Sequence, residues 1–380
     1  MLNLSKTKKY YRLEALMRYA NILGFEDVHI KMDRHSGLQA IIAIHNVDLG
    51  PAIGGCRFIH YDSTGPALKD ALQLAYMMTL KAAISGLPHG GAKAVILAPR
   101  KLKSRTALFT AFGDFVHELN GKYITACDSG TTTADMDIIA TRTPYVIGAA
   151  GSRLLESNPA IHTAKGVFMG LRAAVKHQLK RNDLTNIQVA IQGAGAVGYE
   201  LAALLHNAGA LITVCDTKAE ATDRFKLEFN AKVVDIDSIY DVDCDIFSPC
   251  ALGSVINSDT INRIKASIIA GSANNQLGHQ KFAETLKQQN ILYAPDFVIN
   301  SGGLINAALV YDFHNPELAD KKIGKLYETM LSLFIQASRE NKTPLKIAEE
   351  NAIRKLEQTS DEKNRKIESI LESTEAWKHE

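Results

Sequence analysis

The sequence predicts an α/β protein of two domains, an N-terminal mixed α/β domain followed by a domain built on a parallel sheet. Three observations carry this expectation. The chain has 380 residues, too many for one compact core at about 150 residues per domain. Its first half places hairpin-like strands before a long amphipathic helix and a buried strand, each of which carries a lysine. Its second half alternates strand-like and helix-like runs, with a polar or small-residue cluster closing each strand.

Composition narrows the classes of function. A hydrophobic content of 46% and a charged content of 22% are those of a globular protein. The net charge of +2 singles out no partner, and the one short basic run, Lys6 to Arg12, reads as the start of a surface helix rather than a nucleic-acid face. The N-terminus lacks the apolar core of a signal peptide and no apolar run approaches a membrane span, so the expectation is a cytoplasmic protein without a membrane partner. The five cysteines, Cys56, Cys127, Cys215, Cys244 and Cys250, form no C-x-x-C pair, and the histidines form no H-x-x-x-H arrangement with an acidic partner. A reducing compartment and no metal site follow.

In chain order, a helical pattern from Leu13 to Leu23 precedes strand-like runs at Val28 to Met32 and Leu38 to His45, joined by a turn at Asp33 to Gly37. The segment DLGPAIGGCRF, Asp48 to Phe58, reads as a glycine-rich loop around Ile53 that leads into a short strand. Next, Leu68, Ala71, Leu72, Ala75, Met78 and Ala82 recur at helical spacing, which places Lys81 in a last helical turn closed by Gly86. Gly90 and Gly91 read as a turn permitting close backbone approach before Lys93, with a buried strand from Ala94 to Leu97. A single lysine at the end of an element ordinarily snorkels to water. Two, twelve positions apart around glycines, point to a cleft that needs both cations. A helix from Thr106 to Leu119 and a strand from Tyr123 to Ala126 follow, and Asp128 stands just past that strand, where α/β proteins tend to place functional groups, although taken alone it reads as a solvated turn aspartate.

A loop rich in small residues after Gly148 marks the first boundary. The expected domains are residues 1–147, 148–343, and a charged helical tail at 344–380 that returns to the first domain. After a helix from Thr163 to His177, a strand (Ile187 to Gln192) feeds Gly193, Gly195 and Gly198 in G-x-G-x-x-G spacing, then a helix and a second strand, Leu211 to Cys215, ending at Asp216. Strand before, helix after and an acid 18 residues past the last glycine make a dinucleotide-binding βαβ unit of the Rossmann type, with Ala194, Ala196 and Val197 filling the loop. The glycines allow close approach to a pyrophosphate on the helix N-terminus. Asp216 would accept from ribose hydroxyls and repel a 2′-phosphate, which favours NAD over NADP, against a small opposing pull from Lys218.

With both halves read, the chain resembles the amino-acid dehydrogenase superfamily of glutamate, leucine, phenylalanine and valine dehydrogenases, and within it the leucine dehydrogenases. The resemblance runs from about Leu13 to Leu356. It rests on GLQAIIAIH, LGPAIGGCRF, MTLKAAISGL with GGAKAVI, YITACDSGTTTADMD, TAKGVFMGLRAA, SPCALG, IAGSANNQL and APDFVINSGGLINAA. It implies that Lys81 grips a substrate α-carboxylate, that Lys93 is the catalytic lysine, and that Asp128 exchanges protons with the substrate amine. Thr163 and Asn274 match positions at the nicotinamide side, Asn275 one at the substrate amine, and Ile53, Ala126, Leu304 and Ala307 the side-chain pocket. An NAD-dependent deamination of branched-chain amino acids to 2-oxo acids and ammonia is implied, by a homo-oligomer, often an octamer. Phenylalanine oxidation and a non-catalytic NAD sensor are the alternatives. The sequence departs from the family pattern in CDSG around the aspartate, through Cys127 and Ser129, in Pro88-His89 before Gly90, and in extended termini.

Overall fold

The computed structural model describes residues 7–150, 158–251 and 253–376, with side chains over 14–150, 158–251 and 253–361. Lys6, part of the loop after Gly148, Leu252 of SPCALG and the last four residues lie outside the described residues. Two compact units form, Met1–Glu156 with Ala352–Glu380, and Ser157–Asn351.

The first unit begins with α1 (Thr7–Ile22), then β1 (Asp27–Asp33), β2 (Leu38–Asn46), β3 (Ala52–Ile59), α2 (Thr64–Ile84), β4 (Gly90–Leu97), α3 (Arg105–Glu118), β5 (Tyr123–Cys127) and α4 (Thr133–Ala140). Its sheet runs β1-β2-β4-β3-β5. β1 and β2 form an antiparallel hairpin, β2 is antiparallel to β4, and β3 lies parallel to both β4 and β5. Strand alternation sorts the side chains to two buried faces. Ile42, Ile44, Ala92, Ala94 and Ile96 pack on Phe109, Phe112 and Val116 of α3 and on Met136 and Ile139 of α4. Ile41, Ala43 and Val95 pack on Leu68, Ala71, Leu72 and Ala75 of α2. Burial on both sides explains why Leu38 to His45 reads as a nearly continuous apolar run rather than an alternating one.

Two glycine-rich segments differ from their expected roles. Gly90 and Gly91 are no turn; they are the first residues of β4, paired with Ala52 and Ile53 of β3. A Cβ on Gly90 would lie 1.7 Å from the Asn46 carbonyl oxygen, and one on Gly91 would lie 2.1 Å from the Thr79 amide nitrogen. Their close approach is to the protein's own backbone. The expected Asp48 to Phe58 loop is likewise mostly strand from Ala52 onward, and a Cβ on Gly54 would lie 1.7 Å from the Ala92 carbonyl oxygen.

The second unit takes up α5 (Pro159–Gln178), β6 (Gln188–Gln192), α6 (Ala196–Asn207), β7 (Leu211–Cys215), α7 (Ala219–Phe229), β8 (Lys232–Val233), β9 (Ile246–Pro249), β10 (Ile268–Ile269), α8 (Lys281–Gln288), β11 (Leu292–Tyr293), α9 (Asp296–Ile299), α10 (Gly302–Phe313), α11 (Pro316–Gly324) and α12 (Leu326–Glu340). Its parallel sheet runs β11-β10-β9-β6-β7-β8, so the strand order reverses at β6, the position where open α/β sheets bind ligands. Ala190, Phe247, Ile269, Leu286 and Tyr293 share its core. The last helix, α13 (Pro344–Ala376), places Leu345 against that core, while its residues from Ala352 belong to the first unit. There Lys355 Nζ donates to the carbonyls of Ala83 and Ile84 at 3.3 and 3.4 Å, closing the helix that carries Lys81.

Candidate active site

In the first unit the chemistry gathers on the α2 side of the sheet. Ala92 and Ala94 face α3, so Lys93 between them points the other way. It is 6% exposed, and its Nζ meets Asp128 Oδ2 at 2.6 Å. Lys93 and Gly55 stand side by side, one residue before the Cys56–Ala94 pair, and Gly55 pairs with Ala126 on β5. A Cβ on Gly55 would come within 2.9 Å of the Asp128 Cβ and 2.7 Å of the Cys127 carbonyl oxygen. The missing side chain is the space through which Asp128 reaches Lys93. Asp128 is fixed in turn by its amide, which donates to Thr131 Oγ1 at 2.9 Å.

Arg57 is a further member of this cluster that sequence reasoning did not single out. Its Nε donates to Asp128 Oδ2 at 3.0 Å, and its Nη1 to Asp70 Oδ2 at 2.8 Å. Tyr61 donates to the same Asp70 oxygen at 2.5 Å. Burial works to raise the pKa of Asp128, but Lys93 and Arg57 outweigh it and hold the carboxyl below the usual carboxylate range. The available signal was an arginine within an otherwise small and apolar strand, AIGGCRFI.

Lys81 occupies the last turn of α2 and is half-buried. Thr79 and Gly91, whose backbones nearly touch, each stand two residues before a lysine, so the α2–β4 contact brings Lys81 and Lys93 to neighbouring elements. Ile53, 2% exposed, lies on the Lys93 face of β3 beside Gly91, and Ala126 is half-buried. His89 is no exposed loop residue: it is 2% exposed and its Nδ1 donates to the Pro51 carbonyl at 2.9 Å. Cys127 is exposed as a residue, yet desolvation of its thiol, with nearby carboxylates, pushes the pKa up to about 11, away from reactivity.

The second unit offers a cradle of backbone. Gly193 has φ +109°, and a Cβ on Gly198 would lie 2.1 Å from the Gly193 carbonyl oxygen, so neither position takes a side chain. Around Gly195 the space is open, with nothing within 4 Å of an added Cβ. Gly195 caps α6 without a side-chain bond to its first amides, which leaves the donors of Ala196, Val197 and Gly198 for an anion. Asp216, at the end of β7, accepts from the Ala194 amide at 2.7 Å and from the Lys218 amide at 2.9 Å. Burial would raise its pKa, but those amides outweigh it and keep the carboxylate ionised. A dinucleotide pyrophosphate and ribose fit this donor and acceptor set. Thr163 donates to the Pro159 carbonyl at 3.0 Å and abuts Gly303. Asn274 and Asn275 follow β10, Asn275 with φ +51°, and Asn300, also not singled out beforehand, donates to Asn274 Oδ1 at 2.8 Å. Leu304 and Ala307 share one half-buried face of α10.

A buried lysine paired with a half-buried aspartate in one unit and a Rossmann sheet with its glycine cradle in the other agree with the comparisons to known proteins. Residues 25–145 match the family described as Glu/Leu/Phe/Val dehydrogenase, dimerisation domain, and residues 211–366 match Glutamate/Leucine/Phenylalanine/Valine dehydrogenase. A leucine dehydrogenase of Geobacillus stearothermophilus is 47% identical over 86% of this chain and 89% of its own length. A valine dehydrogenase of Streptomyces coelicolor is 39% identical over 88% of this chain and 92% of its own. The crystal structure of L-tryptophan dehydrogenase from Nostoc punctiforme superposes with a TM-score of 0.79 at 40% identity, covering 91% of this chain and 99% of that one. With so much of each chain matched, and with the lysine pair and glycine cradle in place, this protein belongs to the Glu/Leu/Phe/Val dehydrogenase family.

Proposed function

We propose that the protein catalyses the reversible, NAD-dependent oxidative deamination of leucine, valine and isoleucine to the 2-oxo acid and ammonia. The observation that carries this reading is the pair of buried Lys93 and half-buried Asp128, 2.6 Å apart, with further cations on the neighbouring elements β3 and α2. NAD, when bound, supplies acceptance of the hydride from the substrate Cα. The chain's residues do the rest. Lys81 holds the α-carboxylate by a charge-assisted bond. Asp128 takes a proton from the substrate ammonium, freeing the nitrogen lone pair that assists loss of hydride. Lys93 Nζ, as the neutral amine, takes a proton from the water that adds to the imine, and the resulting ammonium stabilises the carbinolamine oxygen as its remaining proton leaves to solvent and Asp128 returns a proton to the departing amine. Asn275 is assigned to the amino group, and Thr163 and Asn274 to the nicotinamide end. Gly193, Ala194, Gly195, Ala196, Val197, Gly198 and Asp216 are assigned to the pyrophosphate and adenosine ribose.

By resemblance, Ile53 puts hydrocarbon where glutamate-specific relatives carry a cation, so glutamate is not an expected substrate, and Ala126, Leu304 and Ala307 are assigned to the substrate side chain. We place the protein in the cytoplasm as a homo-oligomer, by resemblance an octamer, which light scattering tests. The function is tested by NADH formation from a panel of L-amino acids, including phenylalanine, tryptophan and glutamate. Leucine, valine and isoleucine should be used best. Phenylalanine well ahead of leucine rejects the pocket assignment, and silence with every amino acid favours a sensor.

A further inference from the structure

The pair of Lys93 and Asp128 does not stand alone but ends a chain of contacts. Tyr61 bonds Asp70, Asp70 bonds Arg57, Arg57 bonds Asp128, and Asp128 bonds Lys93, at 2.5, 2.8, 3.0 and 2.6 Å in turn. Two features give this chain a direction. Arg57 and Lys93 both engage the same Asp128 oxygen, Oδ2, and the Ser129 amide adds a backbone bond to the carboxylate. And the guanidinium uses separate nitrogens for Asp128 and Asp70, so its planar fork sets an angle as well as a charge, which a lysine in its place cannot do. Arg57 sits on the same face of β3 as Gly55, whose lack of a side chain lets Asp128 pass.

We propose that Arg57 is a positioning residue for the reaction, braced by Asp70 and Tyr61, that fixes Asp128 by Oδ2 and so presents its other oxygen, Oδ1, to the substrate amine. Without Arg57 the carboxylate keeps Lys93 and the Ser129 amide but loses the planar contact that sets its angle, and the proton transfers to and from the amine lose their alignment. The loss falls on the chemical step. Binding of the α-carboxylate, assigned to Lys81, and binding of cofactor by the second unit are not touched. Asp70 acts one step further back, so its removal loosens the guanidinium and reproduces the effect in weaker form. The other titratable groups about Asp128 are Cys56 on β3 and Cys127 and Tyr123 on β5, all unchanged in these variants.

The inference rests on the proposed dehydrogenase reaction, and the experiment separates the two. Wild type, Arg57→Gln, Arg57→Lys and Asp70→Asn are assayed as full-length protein for kcat and KM with leucine, for NAD affinity by fluorescence, and for thermal melting. Expected are a fall in kcat of about 30-fold or more in Arg57→Gln, a KM for leucine and an NAD affinity within about threefold of wild type, a fall of about fivefold in Asp70→Asn, and poor rescue by Arg57→Lys. Wild-type kcat in Arg57→Gln, full rescue by lysine, or a loss carried by KM or NAD affinity overturns the role of Arg57 while leaving the dehydrogenase reading intact. If Arg57→Gln does not fold, Asp70→Asn decides, since it keeps both cations in place; unchanged kcat there overturns the proposal. Failure of the wild type on every amino acid refutes the underlying function instead.

Discussion

Glycines do opposite work in the two units, and Gly55 and Gly195 show how. At Gly55 an added Cβ would collide with Asp128 and Cys127; at Gly195 it would meet nothing within 4 Å. The first site is assembled from side chains packed to contact, and its glycine is a hole for a carboxylate. The second is assembled from backbone amides facing open space, and its glycine keeps that space clear for a ligand. A site of the first kind ties chemistry to the integrity of the sheet, whereas a site of the second kind can lose its ligand and keep its fold.

The largest test of this contrast is Lys93→Ala. It removes the group to which the proposed reaction assigns the catalytic role, and kcat should drop by about 10²–10⁴-fold while NAD affinity stays at the wild-type value. Appreciable turnover in that variant would break the assignment of the first unit. Next come the two glycines themselves. Gly55→Ala should both destabilise the protein by about 1–3 kcal/mol and lower kcat, because Asp128 must move off Lys93. Gly195 already has φ −70°, so Gly195→Ala should melt like wild type yet bind NAD about tenfold or more weakly, read by calorimetric titration. Undiminished NAD affinity in Gly195→Ala would show that the open space is not the cofactor's.

The charge pair adds a pH dependence confined to the first unit. A carboxyl whose folded pKa is depressed stabilises the protein above its unfolded pKa, about 3.9, and that contribution is lost as pH falls through the lower folded value. The Asp128 pKa is depressed in this way by Lys93 and Arg57 against the opposing effect of burial. Asp128→Asn should therefore cost about 1–3 kcal/mol near neutrality, and the gap to wild type should close below about pH 4 in denaturant melts. A gap that stays constant across that range would remove the ionic origin.

The same contrast explains what could be read from sequence. The G-x-G-x-x-G unit is local, its spacing fixed by one turn and one helix start, so its strand, loop and acid were all legible. Lys93 stands out by its apolar, glycine-rich surroundings, whereas Asp128 alone reads as a solvated turn residue and is singled out by the family resemblance. Their shared partner Arg57 was not legible, because its bonds reach Asp70 thirteen residues away and Asp128 seventy-one away, across strands whose register no local pattern shows. Gly90 and Gly91 misled for a related reason. Glycine ordinarily marks a turn, but here it marks places where a strand lies within a Cβ's reach of Asn46 and Thr79, a fact of tertiary packing.

A smaller effect is expected at the cofactor's adenosine end. If Asp216 repels a 2′-phosphate as proposed, Asp216→Ala removes that repulsion together with the bond to the Ala194 amide, so NADH affinity should fall while NADPH gains, narrowing the proposed preference about tenfold. Wild type that already uses NADPH as well as NADH would mean that Lys218, whose amide bonds Asp216, outweighs it.

The smallest expected effect concerns the substrate side chain, where one methylene decides. Leu304 and Ala307 lie three residues apart on α10, which places them on one face, and both are half-buried. By resemblance, Ala307 is smaller than the valine usual in leucine dehydrogenases, which would leave room for a larger substrate, whereas Ala126 in place of the glycine often seen in phenylalanine-specific relatives would narrow the slot. These changes oppose each other, and each is worth about 1–3 kcal/mol in an apolar pocket. Ala307→Val should therefore shift kcat/KM towards valine and leucine and away from phenylalanine by roughly tenfold without altering the NAD affinity. If instead the variant loses leucine and phenylalanine turnover in equal proportion, position 307 supports the helix and does not line the pocket, and the choice among branched-chain substrates must lie with Ile53 and Ala126 on the strands beside Lys93.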